Sequence, residues 1–277
     1  MIQEFAPAKV NLALHVTGRR DDGYHLLDSI VVFADIGDRL TISDAPDLSL
    51  SVTGPRAADI PTDSRNLVWR AAEWLAAGRG AAITLDKTLP PAGGIGGGSS
   101  DAASALRGLS DLWARPRPAP QEVLPLGADV PVCLFGRPAR MQGIGEVVCD
   151  LPDLPALWMV LANAGVEVPT GPVFKALTHA ENAALPEPDW TDLPSLVAYL
   201  CHARNDLEAP ARALVPVIGE VLDHLEAQPG CLLARMSGSG GTCFGLFGSA
   251  EAAQMAAARI GESKPDWWVD SGAVRAA

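Results

Sequence analysis

The segment KVNLALHV, residues 9–16, alternates without a break: Val10, Leu12, Leu14 and Val16 fall on one side, Lys9, Asn11, Ala13 and His15 on the other. A period of two is the pattern of a strand with one face on a core, so these residues predict a half-buried strand presenting Lys9 and Asn11 together. After the turn GRRDDGYH, the run LLDSIVVFADIGDRLTIS continues as paired strands. In SRNLVWRAAEWLAAG the apolar residues Leu67, Ala71, Trp74 and Leu75 recur at helical spacing, with Gly78 as the stop. AAITLDKTLP predicts a strand running directly into a loop that packs five glycines into the six positions 93–98. Beyond the loop Ala102, Leu106, Leu109 and Trp113 share a helical face, and Ser99, Ser100 or Asp101 can cap its start.

The proline-rich connection RPRPAPQEVLP leads to GADVPVCLFG, and the chain restarts after DLPDLPALW with the apolar strand LWMVLANAG. That restart predicts a domain boundary near residue 152, dividing residues 1–152 from 153–277. The second half predicts helices over 193–203 and 208–227, strands CLLARMS and CFGLFG around the loop GSGGT, the helix AEAAQMAAARIG and a final strand WWVDSGAV. Strands in paired runs between helices, rather than strict alternation, point to an α+β layout.

Composition narrows the function classes. The chain is 48% hydrophobic and 19% charged over 277 residues, enough to bury a real core. A net charge of −12 without a Lys/Arg cluster argues against nucleic acid or an anionic membrane as partner. Five scattered cysteines, Cys133, Cys149, Cys201, Cys231 and Cys243, fit reduced thiols packed as small core residues in a cytoplasmic protein. Lysine occurs only at 9, 87, 175 and 264, so Lys9 inside an apolar stretch asks for a function.

Glycines between a strand and a helix let successive backbone N–H groups converge on an anion, usually phosphate. The two common phosphate fingerprints fail: Ser99 stands where G-x-x-x-x-G-K-[ST] needs lysine, and no frame satisfies G-x-G-x-x-G. Such a loop draws its positive charge from elsewhere, with Lys9 and Lys87 as candidates. Taken singly, each feature has a plainer reading: a glycine-packed turn, strand-edge lysines, Asp129 as a helix cap, GSGGT as a hairpin turn.

Together the pieces are more specific. PAKVNLALHVTGRRDDGYH, LPPAGGIGGGSSDAAS, LGADVPVCLFG and RMSGSGGTCFGLF, in this order, resemble the motifs of the GHMP kinases, the superfamily of galactokinase, homoserine kinase and mevalonate kinase. The triple glycine before Ser99 and Ser100, with GYH, GADVPV and NDLE, is similar to the branch whose acceptor is a cytidine-diphosphate-linked sugar alcohol of isoprenoid precursor synthesis. The resemblance implies a two-domain GHMP kinase fold: an N-terminal nucleotide-binding domain with a left-handed βαβ unit, and a C-terminal α+β substrate domain. It implies Lys9 and Asp129 as the catalytic pair, with Asn11 beside them on the substrate. It further implies Asn66 near the adenine and Gly94, Gly96, Gly97, Gly98, Ser99 and Ser100 around the triphosphate, where Lys87 is expected from the charge argument to serve the nucleotide as well. ATP and Mg²⁺ follow, the metal carried mainly by the phosphates with no side-chain ligand assigned. Tyr24 and His25 match residues that meet the cytosine by stacking and hydrogen bonding, with Phe174 as an opposing aromatic. The implied enzyme is a cytoplasmic monomer or weak homodimer. Two departures stand out: RPRPAPQEVLP is shorter than the family's connection, and Gly241 replaces an expected alanine. Another GHMP alcohol kinase of homoserine or mevalonate type, a nucleotide sensor on the same fold, and a structural protein whose loops only pack remain as alternatives.

Overall fold

The computed structural model describes residues 1–276. Strand β1 (Ile2–Arg19) and the long, bent β2 (His25–Ala45) pair antiparallel over most of their length. β3 (Ser49–Thr53) and β4 (Gly80–Asp86) lie parallel and adjacent, joined through helix α1 (Leu67–Ala76) as a βαβ unit. Helix α2 (Gly97–Leu112) follows the glycine loop. A 3-10 segment (Pro120–Leu126) in the proline-rich connection precedes α3 (Val130–Phe135). β5 (Ala139–Gly143) and β6 (Val147–Asp150) complete a six-stranded sheet of order β3-β4-β2-β5-β6, with β1 on β2.

The second sheet has the order β10-β7-β9-β8, built from β7 (Trp158–Asn163), β8 (Cys231–Met236), β9 (Thr242–Phe247) and β10 (Trp268–Ala273). Around it run α4 (Thr170–Lys175), α5 (Leu193–His202), α6 (Glu208–Leu214), α7 (Val217–Glu226) and α8 (Ala250–Ser263). A bridge between Leu14 and Asn205, and another between Ala34 and Val274, stitch the two halves through backbone bonds.

The α+β layout and the order of the elements read from the sequence hold, whereas β3, α4, β5 and β6 carried no expectation, and five local corrections apply. LLDSIVVFADIGDRLTIS, expected as paired strands, is one continuous stretch of β2. β1 is buried on both faces from Ala6 to Val16, because Val10 and Leu12 enter a core shared with Leu161, Leu200 and Phe244 of the second half. Trp74 is 44% exposed: α1 turns Val68, Ala71, Ala72 and Leu75 inward, and the tryptophan lies off that stripe. The single helix expected over 208–227 is two, since Pro216 forces Val215 out of helical geometry (φ −134°, ψ 81°). Of the five thiols only Cys133 and Cys243 are buried; Cys149 and Cys201 are exposed.

Candidate active site

β1 delivers Lys9 and Asn11 from one face of the strand, two residues apart. The Lys9 ammonium donates to Asn11 Oδ1 at 2.8 Å and lies 3.0 Å from Asp129 Oδ2. Asn11 is fixed in turn: its Nδ2 donates to Ser29 Oγ on β2 at 2.8 Å, and the Ser29 hydroxyl donates to the Ala13 carbonyl at 2.6 Å. Asp129 occupies the N-cap position of α3 but its side chain caps nothing, so the carboxylate turns to Lys9. The plain helix-cap reading of Asp129 therefore does not describe its side chain.

The glycine loop packs against the second Gly/Ser loop. Ser237 Oγ donates to the Gly94 carbonyl at 3.0 Å and accepts the Asn11 amide at 3.1 Å, so one hydroxyl ties β1 to both loops. Gly94 has φ +72°, and a Cβ there would meet the carbonyl oxygens of Gly240 and Ser237, the latter at 2.6 Å. Gly96, at φ +61°, starts α2 in the left-handed region, and a Cβ would stand 2.9 Å from Lys9 Cε. α2 begins at Gly97 with no side-chain cap, contrary to the expected Ser99, Ser100 or Asp101 cap. Its first-turn N–H groups at Gly97, Gly98 and Ser99 lack side-chain acceptors, the arrangement that binds an anion. Ser99 is half-buried beside Gly127, and Ser100 is buried with its amide on the Gly96 carbonyl at 2.8 Å.

Lys87 is not a free cation. Its Nζ lies 2.5 Å from Asp38 Oδ2 and 2.7 Å from Asp101 Oδ2, all three side chains buried beneath the loop. The two carboxylates hold Lys87 in its charged form, while burial and the neighbouring Asp38 push the Asp101 carboxyl up to about 7. Asn66 caps α1: its Oδ1 accepts from the Val68 amide at 2.9 Å and its Nδ2 donates to the Pro61 carbonyl at 2.8 Å.

A cleft of about 560 Å³ opens between the two halves, lined by Lys9, Asn11 and Asp129 at one end and Tyr24, His25 and Phe174 at the other. His25 and Phe174 stack with ring centroids 4.8 Å apart, and Tyr24 is 60% exposed beside them. Partial burial, with the Arg19 charge beside it, lowers the His25 pKa and favours its neutral ring. Six of the expected residues therefore share one cleft, while Asn66, Lys87 and the loop residues lie outside its lining. Sequence reasoning missed the exposed cations Arg19 and Lys175 on the same cleft wall, and the orienting hydroxyls Ser29 and Ser237. Arg19 sits in the GRRDDGYH turn and Lys175 follows Phe174, so proximity in sequence could have flagged them; nothing local marks Ser29.

An ammonium and a carboxylate side by side, with free helix N–H groups a few residues away, suit transfer of a phosphoryl group to an alcohol, the chemistry of a GHMP-type small-molecule kinase. Residues 66–137 match the family model for the GHMP kinases N terminal domain, and residues 182–265 that for the GHMP kinases C terminal. The chain is 62% identical over 265 residues to a 4-diphosphocytidyl-2-C-methyl-D-erythritol kinase of Jannaschia sp. (strain CCS1), covering 96% of this chain and 94% of that protein. It is 59% identical over 272 residues to one of Cereibacter sphaeroides (strain ATCC 17029 / ATH 2.4.9), covering 97% and 98%. A crystal structure of 4-(cytidine 5'-diphospho)-2C-methyl-D-erythritol kinase superposes with a TM-score of 0.78 at 35% identity, over 99% of both chains. A homoserine kinase from Cytophaga hutchinsonii shares the fold at a TM-score of 0.63 and 20% identity, covering 99% of this chain and 94% of that one. The chain belongs to the 4-diphosphocytidyl-2-C-methyl-D-erythritol kinase family of the GHMP kinases.

Proposed function

We propose that this chain transfers the γ-phosphoryl group of ATP to the 2-hydroxyl of 4-diphosphocytidyl-2-C-methyl-D-erythritol, in isoprenoid precursor synthesis. The observation that carries the reading is a cleft with the Lys9–Asp129 pair at one end and three aromatic rings at the other. Such a cleft suits an acceptor with a flat base far from its reacting hydroxyl. The relatives' shared name favours this acceptor over the homoserine and mevalonate alternatives.

Asp129 takes the proton of the acceptor hydroxyl as that oxygen bonds to the γ-phosphorus and the bond to the β-bridging oxygen breaks, releasing ADP. Lys9 neutralises the transferred group, and Asn11 holds both the lysine and the approaching alcohol. The N–H groups of Gly97, Gly98 and Ser99 receive the phosphates, with Gly94 and Gly96 shaping the turn, Ser100 behind it and Asn66 near the base. Among the described residues no group of three or more His, Cys, Asp or Glu side chains could hold a metal ion. Mg²⁺ carried on the nucleotide would neutralise phosphate charge when bound. Tyr24 and Phe174 stack on the cytosine and His25 hydrogen-bonds it. His25 already stacks on one face of Phe174. Arg19 and Lys175 offer positive charge to the diphosphate.

In this reading residues 1–152 form the nucleotide half and 153–277 the substrate half of a cytoplasmic monomer or weak homodimer acting on a small molecule. A net charge of −12 disfavours nucleic-acid and anionic-membrane partners. Among the described residues no helix is long and apolar enough to cross a membrane. The test is ADP release from MgATP with the diphosphocytidyl acceptor, followed by phosphorus NMR of the product. Stoichiometric ADP with a new phosphomonoester beside an intact diphosphate supports the reading. Nucleotide binding without turnover on this acceptor, and no competition by cytidine compounds, returns the enzyme to another alcohol.

A further inference from the structure

The cluster of Lys87, Asp38 and Asp101 beneath the glycine loop has no part in the chemistry above. Its two carboxylates are held very differently. Asp38, on β2, accepts from the amides of Thr88 at 2.6 Å and Leu89 at 2.9 Å through Oδ1, and from Lys87 through Oδ2. Asp101, on α2, has only Lys87: its Oδ1 is buried without a partner. Stability alone does not account for this second carboxylate. Asp38 already neutralises Lys87, and another buried acid with a bare oxygen costs free energy. What Asp101 adds is a directed bond between α2 and the end of β4. It stands one helical turn beyond Gly97, where a Cβ would lie 3.2 Å from the Lys87 ammonium.

We propose that Asp101 is a positioning residue for the nucleotide: by gripping Lys87 it locks the first turn of α2 to the sheet and sets the direction in which Gly97, Gly98 and Ser99 present their N–H groups. Lys87 acts from below the loop through Asp101, not by touching phosphate. The proposal rests on the reading of the loop as the ATP site.

The experiment is steady-state kinetics and MgADP thermal shift on the full chain with Asp101→Ala and Asp101→Asn. Asp101→Ala raises the KM for MgATP about tenfold, since small misplacements of binding groups are costly, and leaves the acceptor KM within about twofold. Asp101→Asn, whose amide oxygen still accepts from Lys87, recovers most of the nucleotide KM. Should the alanine variant not fold, Asp101→Ser, too short to reach the ammonium, gives the same comparison. A lower Tm with both KM values unmoved, or both moving together, overturns the proposal, as does an asparagine variant no better than alanine. A wild-type chain without any MgADP shift overturns the ATP-site reading and this proposal with it; a wild-type shift with an unmoved Asp101→Ala KM overturns this proposal alone.

Discussion

Lys9 Nζ stands 3.0 Å from Asp129 Oδ2, a lysine side chain 3% exposed against a carboxylate 33% exposed. The asymmetry divides the labour. The lysine is enclosed by Asn11, Gly96 and Asp129 and cannot swing away, whereas the carboxylate keeps an open side toward the cleft where an acceptor hydroxyl can reach it.

Asp129→Asn keeps the shape and removes the carboxylate proposed as the base. Losing a general base typically costs ~10² to 10⁴ in rate, so kcat falls by that order while MgATP binding is retained. Single-turnover kinetics alongside a nucleotide thermal shift separate the two. A variant that keeps most of its kcat reassigns the proton acceptor.

The parts of this site that were legible in the sequence are those where a local pattern and a family motif coincide. Alternation put Lys9 and Asn11 on one face, and the loop composition marked the glycine turn from β4 into α2. Long-range partners were not legible. Lys87 looked like a free cation because Asp38, forty-nine positions away, gives no local signal of its approach. The full burial of β1 was hidden for the same reason: the second half supplies its covering layer. Helix boundaries failed where chemistry overrides capping rules, as at α2, whose start is an uncapped glycine although serines stand two residues on.

Phe174 offers a test of the far end of the cleft. Stacking of a base on an aromatic ring contributes roughly 1–3 kcal/mol, so Phe174→Leu raises the acceptor KM by about an order of magnitude and leaves the MgATP KM unchanged. Initial-rate kinetics with each substrate varied in turn provide the check, and equal shifts in both KM values would place Phe174 outside base recognition.

The pair Arg140–Asp28 is structural rather than catalytic. Arg140 donates to both Asp28 oxygens, at 2.9 and 2.8 Å, and to the Leu185 carbonyl at 2.8 Å, pinning the 183–187 segment against β2 and β5. Replacing Arg140 by Met leaves Asp28 buried with only the Leu185 amide donating to it, at 2.9 Å, so stability falls by about 3 kcal/mol. Urea denaturation monitors this, and a loss below about 1 kcal/mol, the scale of an exposed pair, contradicts the buried-pair account.

His15 makes that same segment sensitive to pH. Its Nδ1 meets the Ala183 carbonyl at 2.9 Å and its Nε2 accepts the Arg204 amide at 3.3 Å, partners that together require the neutral ring protonated at Nδ1. Burial, foremost, and the Arg204 charge lower its pKa, against the Ala183 bond and the carboxylates Asp206 and Asp28. A second proton would set an N–H against the Arg204 N–H. In the unfolded chain the ring titrates near 6.5, so as pH falls through that value the unfolded state takes up a proton that the folded state refuses, and stability drops until the lower folded pKa is reached. Above 6.5 the contribution is constant. Calorimetry at pH 7.5 and 5.5 should therefore show a larger fall in Tm for the wild type than for His15→Gln, whose amide can keep both bonds without titrating. Parallel curves for the two proteins would mean that the acid sensitivity of the fold arises elsewhere, with His25 next to be replaced because its pKa is lowered in the same direction.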